Sequence, residues 1–203
     1  MKYKFFWFPA LQAFNFTFCQ LGIIIRMEAI VLLKMFSTQL SGLFKRLQEQ
    51  EEFSLEDSAR LLAQAAAGEG KIYLYGSGEM QAVLFEALEG AEPLAHAARF
   101  DMAEVTPADR VLLFARHSTD PDAVAIAKEL AEKYLPFTAV STVIPGDEPG
   151  LDTLADVHID LKLTKGLLPD ENGERFAIPN TMAALFVYYG IKFTIDEIIA
   201  GYE

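Results

Sequence analysis

Short apolar runs alternate along the chain with stretches of helical periodicity. The first run, Ile72 to Tyr75, is followed by Gly76, Ser77 and Gly78, and apolar residues then recur at the spacing of one helical face from Met80 to Leu88. This pattern predicts a strand, a glycine turn and a helix. Further strands are predicted at residues 94–98, 111–115, 137–143 and 157–163.

Helical periodicity also precedes the first predicted strand. The apolar residues from Phe36 to Leu47 form one stripe, and the charged stretch Glu49 to Glu52 follows it. Ser54, with Asp57 three residues on, predicts the capped start of a second helix. Two helices are therefore expected ahead of the sheet.

Three more helices are expected after the sheet begins. Asp120 and Pro121 predict an N-cap and a first helical position. In the C-terminal third, Pro179 would begin a helix that ends at Gly190, and Thr194 would cap a last one. The alternation of strands and helices predicts an α/β fold: a three-layer sandwich with a mainly parallel five-stranded sheet flanked by helices.

Residues 1–34 differ from the rest of the chain. No charged residue occurs from Phe5 to Ile25, and Lys2 and Lys4 precede this run, as in a signal peptide or membrane anchor. Polar residues interrupt the run, however, and no small-residue cleavage pattern follows it. We therefore predict a single domain at residues 35–203, preceded by an extension that results from a start codon assigned too early. An anchor and a cleaved signal are the alternatives.

Net charge and cysteine content narrow the range of partners. The formal net charge is −12 at pH 7, so we expect no nucleic-acid partner, and no membrane partner unless residues 1–34 are genuine. Cys19 is the single cysteine, which excludes an intramolecular disulfide and suits a cytoplasmic location. No cofactor and no metal are expected, because no pair of His or Asp has metal-ligand spacing on a helix.

The carboxyl ends of the predicted strands form the candidate ligand site, because ligands of parallel sheets bind there. Free amides and the helix dipole at the glycine turn would favour an anion. Alternatively, the two glycines only make a tight turn. The candidate ligand-binding residues at this rim are Gly76, Ser77, Gly78, Glu79, Arg116, Ser118, Thr119, Ser141 and Thr142. The polar segment Thr164 to Ile178, which carries Lys165 and Arg175, could fold over them.

Four features occur together from about Met35 to Glu203. They are two leading helices, a strand ending in Gly76-Ser77-Gly78, the phrase Val105 to Val111 (VTPADRV) entering a core strand, and Pro121-Asp122 starting a helix. In these features the chain resembles the SIS (sugar isomerase) family of phosphosugar-binding domains. The segments MFSTQLSGLFKRLQEQEEF and MAALFVYYGIKFTIDEI resemble more specifically its YwjG-type branch, an uncharacterised group similar to phosphoheptose isomerases.

The resemblance implies a phosphosugar ligand, but the phosphate loop departs from the family pattern. In SIS domains a Ser-x-Ser-Gly-x-Ser/Thr loop after the third core strand holds the phosphate. Aligned on Pro121, residues 115–120 read ARHSTD instead. Asp120 at the helix start would use the amides that a phosphate needs, whereas Arg116 or His117 could supply anion affinity by charge.

The resemblance also implies where catalytic residues would lie. Phosphoheptose isomerases carry a glutamate on the helix after the glycine turn, and Glu89 is nearest to that position, with Glu86 on the same face. His117 is the best candidate for a partner acid. Alternatively, these glutamates form the solvated face of an amphipathic helix.

We therefore expect a phosphosugar-binding SIS-fold protein without strong catalysis. One alternative is a sugar-phosphate aldose-ketose isomerase that uses Glu89 or Glu86 with a histidine. Another is an interaction protein whose aromatic face, Phe186 to Tyr189, docks another subunit. SIS domains commonly place their site at a subunit interface, so a homodimer or higher oligomer is expected.

Overall fold

The computed structural model describes the backbone of residues 10–201 and the side chains of residues 29–201. Its strands are β1 (Ile72–Gly76), β2 (Ala97–Arg99), β3 (Arg110–His117), β4 (Phe137–Thr142), β5 (Val157–Asp160), β6 (Leu168–Pro169) and β7 (Arg175–Phe176). The first five form a parallel sheet in the order β2-β1-β3-β4-β5, and β6 pairs with β7 in an antiparallel hairpin. The predicted parallel five-stranded sheet is confirmed.

Helices cover both faces of the sheet. Within residues 10–201 they are α1 (Ala10–Gln50), α2 (Glu52–Ala66), α3 (Gln81–Glu89), α4 (Pro121–Glu132), α5 (Leu151–Leu154) and α6 (Asn180–Ala200). Leu112 and Phe114 of β3 enter the core under α1, α2, α3 and α6, whereas Val111 and Leu113 enter the core under α4 and α5. Alternate strand residues therefore fill two separate cores, which confirms the three-layer sandwich.

The start of α2 differs from the prediction. The helix begins at Glu52 with Glu51 in the capping position, and no side chain caps it. Ser54 lies inside the first turn, so the predicted capping box of Ser54 and Asp57 is wrong. The second strand is also shifted: β2 begins at Ala97, and the Leu94 amide donates to the Ala87 carbonyl oxygen at 2.8 Å instead of joining the sheet.

The C-terminal helix is continuous, so the predicted end at Gly190 and the predicted cap at Thr194 are both wrong. A Cβ atom at Gly190 would lie 3.3 Å from Leu55 Cδ2, so the glycine allows α6 to pack closely against α2. The Thr194 hydroxyl donates to the Gly190 carbonyl oxygen at 3.1 Å, one turn back in the same helix.

The aromatic residues of α6 point mostly inward. Phe186 stacks on Phe44 with ring centroids 4.6 Å apart, and Tyr188 is buried. The prediction that Phe186 to Tyr189 form an exposed docking face is therefore wrong for Phe186 and Tyr188. Tyr189 is half-buried.

The polar segment after β5 folds into the β6–β7 hairpin, with Gly173 at φ +83° in its turn. Arg175 donates to the carbonyl oxygens of Gly166 and Leu167 at 3.0 and 3.1 Å. Its guanidinium therefore holds its own hairpin together, which in turn contacts α1.

The division of the chain at residue 34 stays a prediction. Helix α1 begins at Ala10 and continues past Met35 without a break, while residues 1–9 lie outside the described part. In the part of the chain that the structure describes, no helix has both the length and the apolar character needed to cross a bilayer.

Candidate functional site

The glycine turn after β1 sets one side of the candidate site. A Cβ atom at Gly76 would lie 2.7 Å from the Met80 carbonyl oxygen, so only glycine fits where the strand passes under the next turn. Gly78 has φ +53° and begins a single 3-10 turn, Gly78–Met80, that leads into α3. The turn therefore places Ser77 and Glu79 at the carboxyl end of the sheet.

The crevice of the sheet lies between β1 and β3, because the chain order reverses there: β2 and β3 flank β1 on opposite sides. Two side-chain contacts cross this crevice. Ser77 Oγ donates to Asp120 Oδ2 at 2.8 Å, and Arg116 Nε donates to Glu79 Oε1 at 2.7 Å. The loop after β1 and the loop after β3 are thus joined by the protein's own carboxylates.

Asp120 caps helix α4, as the sequence predicted. Its Oδ1 accepts a hydrogen bond from the Ala123 amide at 3.2 Å, and Pro121 occupies the first helical position. Both oxygens of this carboxylate are therefore engaged, one by the helix and one by Ser77. A carboxylate at this position also has the favourable interaction with the helix dipole that a bound phosphate would have.

The main-chain donors of the rim are also engaged. The Ser77 amide donates to the Phe114 carbonyl oxygen, and the Met80 amide to the Ser77 carbonyl oxygen, at 2.9 and 3.0 Å. After β3, the Ser118 and Asp120 amides donate to backbone carbonyls at 2.9 and 3.1 Å. The expectation that free amides at the glycine turn await an anion is therefore wrong for these groups.

The Arg116–Glu79 pair is the charged contact at the mouth of the crevice. The hydrogen bond from Arg116 lowers the pKa of Glu79 below its ordinary value, and the same bond raises the pKa of Arg116. The two side chains are 53% and 40% exposed, so solvent screens the pair and it can exchange partners.

Three predicted ligand-binding residues have buried hydroxyl groups that hold the strand ends together. Ser118 Oγ accepts from the Ile144 amide at 3.1 Å, and Thr142 Oγ1 accepts from the Leu163 amide at 3.4 Å. Ser141 Oγ lies 2.8 Å from Nε2 of His158, whose pKa is lowered by burial. These hydroxyls bond to the protein, not to the crevice.

The remaining rim residues are more accessible. Thr119 is exposed and His117 is half-buried. Thr119 also lines a groove of about 560 Å³ between α4 and the loop after β4, where Lys128 Nζ lies 3.1 Å from Glu148 Oε2. A larger groove, of about 720 Å³, lies between α2 and α6 and includes none of the rim residues.

The two candidate catalytic glutamates lie along α3, away from its rim end. At about 1.5 Å per residue, Glu86 and Glu89 are roughly 12 and 16 Å from Gly78 along the helix axis. Glu86 Oε1 accepts from the Tyr189 hydroxyl at 2.5 Å, and Glu89 is exposed at the last position of the helix. The structure does not bring them to His117 or to the crevice of the same chain.

One charged cluster beside the rim was missed in the sequence. Lys162 Nζ lies 2.7 Å from Glu51 Oε1 and 3.6 Å from Asp160 Oδ2, and Glu51 is buried. Burial would lower the pKa of Lys162, but the hydrogen bond and charge of Glu51 raise it. This cluster ties the α1–α2 corner to the end of β5. Glu51 belongs to a charged stretch that indicated an exposed surface, and its partner is more than a hundred residues away.

The sheet order, the flanking helices and the glycine turn together define an SIS (sugar isomerase) fold. The c3406 protein of E. coli CFT073, solved in complex with a phosphosugar, superposes with a TM-score of 0.62 at 13% identity, over 86% of this chain and 93% of that protein. A phosphoheptose isomerase from Francisella tularensis gives 0.54 at 13% identity, over 82% and 96%. The sugar isomerase domain of an RpiR transcription factor from Sphaerobacter thermophilus gives 0.52 at 13% identity, over 84% and 96%.

Sequence comparison gives the family. The model of a domain of unknown function, DUF2529, matches residues 32–199, and the chain belongs to this family. The uncharacterized protein YwjG of Bacillus subtilis (strain 168) is 44% identical over 173 residues, which is 84% of this chain and 99% of that protein. The resemblance to the SIS fold and to the YwjG-type branch is confirmed.

Proposed function

We propose that this protein binds a phosphosugar, or a similar small organic anion, at the crevice between β1 and β3 and does not isomerise it. The proposal is supported by the fold, which it shares with a protein solved in complex with a phosphosugar and with a phosphoheptose isomerase. It places the ligand at the switch point of the sheet, where ligands of such folds bind.

The observation that carries the proposal is the position of Arg116. Its side chain crosses the mouth of the crevice, is 53% exposed, and donates to Glu79 through Nε. Its two terminal amino groups can therefore donate to an anion in the forked geometry that suits phosphate and carboxylate. Ser77 and Thr119 would line the same ligand.

The proposal excludes turnover because proton transfer between sugar carbons needs a base within hydrogen-bond reach of the substrate. Glu86 and Glu89 lie more than two helical turns from the crevice, and Glu86 is bonded to Tyr189. Catalytic roles for Glu86, Glu89 and His117 stay predictions. The cytoplasmic location and the homo-oligomeric state are part of the proposal as well.

Calorimetric titration with fructose 6-phosphate tests this assignment. Arg116→Gln should weaken binding by about 10- to 150-fold, because hydrogen bonds to a charged group contribute about 1.5–3 kcal/mol. Unphosphorylated fructose should bind much more weakly than the phosphate ester to the wild type.

Arg60→Gln is the matched control, because Arg60 also forms an exposed ion pair, with Glu56 on α2, away from the crevice. It should bind like the wild type. Equal losses in both variants, or unchanged binding in Arg116→Gln, would contradict the role of Arg116. Absence of binding by the wild type would contradict the proposed function itself.

A further inference from the structure

The crevice contains two carboxylates of the protein next to the groups that would recognise a phosphate. Asp120 is bonded to the Ala123 amide at the start of α4 and to the Ser77 hydroxyl. Glu79 is bonded to Arg116. A helix N-terminus, a serine hydroxyl and an arginine are all phosphate ligands in proteins.

These two carboxylates act on the same space. Both contacts join the loop after β1 to the loop after β3, so both close the crevice across its width. A phosphate that approached Ser77 or Arg116 would meet a carboxylate already in place, and two like charges at such a distance repel strongly where solvent is partly excluded.

We infer that Asp120 is an internal competitor for the ligand's phosphate, holding the crevice closed until a ligand displaces it from Ser77. This inference rests on the proposed function and names how the same site is regulated. Glu79 has the matching role at Arg116.

Two consequences follow for the ligand. Inorganic phosphate alone should bind poorly, because it must replace the carboxylate contacts with nothing added. A sugar phosphate can offset that loss with hydrogen bonds from its hydroxyl groups. The crevice therefore selects for esters over the free ion, and its affinity is set by how easily the two contacts open.

Asp120→Asn tests the inference by removing the charge while keeping a capping side chain, since asparagine caps helices as well as aspartate does. In calorimetric titrations with fructose 6-phosphate, we expect this variant to bind at least tenfold more tightly than the wild type. Glu79→Gln, which releases Arg116, should strengthen binding in the same direction.

Asp122→Asn is the matched control, because Asp122 lies in the first turn of the same helix and is exposed. It removes the same charge from the same helix end and should bind within about twofold of the wild type. Thermal unfolding of each variant would confirm that it is folded.

The outcomes separate the two claims. If the wild type binds, and Asp120→Asn binds no more tightly than Asp122→Asn, the internal competitor is excluded and the proposed function stands. If the wild type does not bind but Asp120→Asn does, the competitor is supported in its strongest form. If no protein binds the ester, the proposed function fails, and the inference fails with it.

Discussion

Asp109 illustrates how a single residue of the sequence motif acts in the fold. Its carboxylate accepts hydrogen bonds from the Lys71 amide at 2.7 Å and from the Thr106 amide and hydroxyl at 2.8 and 2.6 Å. It therefore joins the entry of β1 to the entry of β3. Burial alone would raise the pKa of Asp109, but these hydrogen bonds lower it below its ordinary value.

Asp109→Asn should destabilise the protein by about 2 kcal/mol at pH 7, because an amide cannot accept all three bonds of a charged carboxylate. Since the folded pKa is lowered, this stabilisation is present above the unfolded pKa of about 3.9 and is lost as the pH falls through the folded pKa. The variant should therefore lose less stability than the wild type on acidification below about pH 4. Urea unfolding at several pH values measures both effects.

Asp147→Asn is the control for Asp109, because Asp147 is exposed in the loop after β4. Its stability at pH 7 should match that of the wild type within about 0.5 kcal/mol. An Asp109→Asn variant as stable as this control would show that the carboxylate does not join the two strands.

Some residue roles could be read from the sequence and others could not. Asp120 as a helix cap followed from Pro121 next to it, because capping is a local matter of one turn. The pairing of Glu51 with Lys162 could not be read, since the two residues meet only after the sheet has formed. The same holds for the bond between Ser77 and Asp120, which decides how the crevice is occupied.

At the scale of elements, periodicity predicted the parallel strands and most helices because it reflects burial on one face. It failed where a residue's meaning depends on its neighbour in space. Gly190 is a common helix end, yet here it allows α6 to pass close to Leu55 of α2. Ser54 has the features of a cap, yet α2 begins two residues earlier.

The turn between β1 and α3 contains two glycines with different physical roles, and substitutions should separate them. Gly76→Ala should cost about 3 kcal/mol of stability, because the new Cβ atom would overlap backbone atoms of Met80 and Gln81 at 2.7–2.9 Å. Gly78→Ala should cost about 1 kcal/mol, because its Cβ would meet nothing within 4 Å and only the positive φ is unfavourable.

Urea unfolding of the two alanine variants measures this difference. Gly78→Asn should recover part of the loss at that position, since asparagine tolerates positive φ better than alanine. Equal costs at the two positions would contradict the close approach of the strand to the 3-10 turn.

At the scale of the whole molecule, the SIS fold is complete while the phosphate loop has changed. The net charge of −12 adds a field that opposes any anion, and the crevice carries its own carboxylates. Fold and composition were accessible from the sequence. The state of the crevice was not, because it depends on four side chains from two loops meeting across the sheet.

The most direct test of ligand binding at this crevice is a titration of the ¹⁵N-labelled protein with fructose 6-phosphate, followed by two-dimensional ¹H–¹⁵N NMR. Amide signals from residues 76–79 and 116–123 should shift together and saturate at one dissociation constant, with the Ser77 and Ala123 amides among the largest changes as Asp120 moves away from Ser77. Shifts confined to the α2–α6 groove, or none at millimolar ester, would contradict the account.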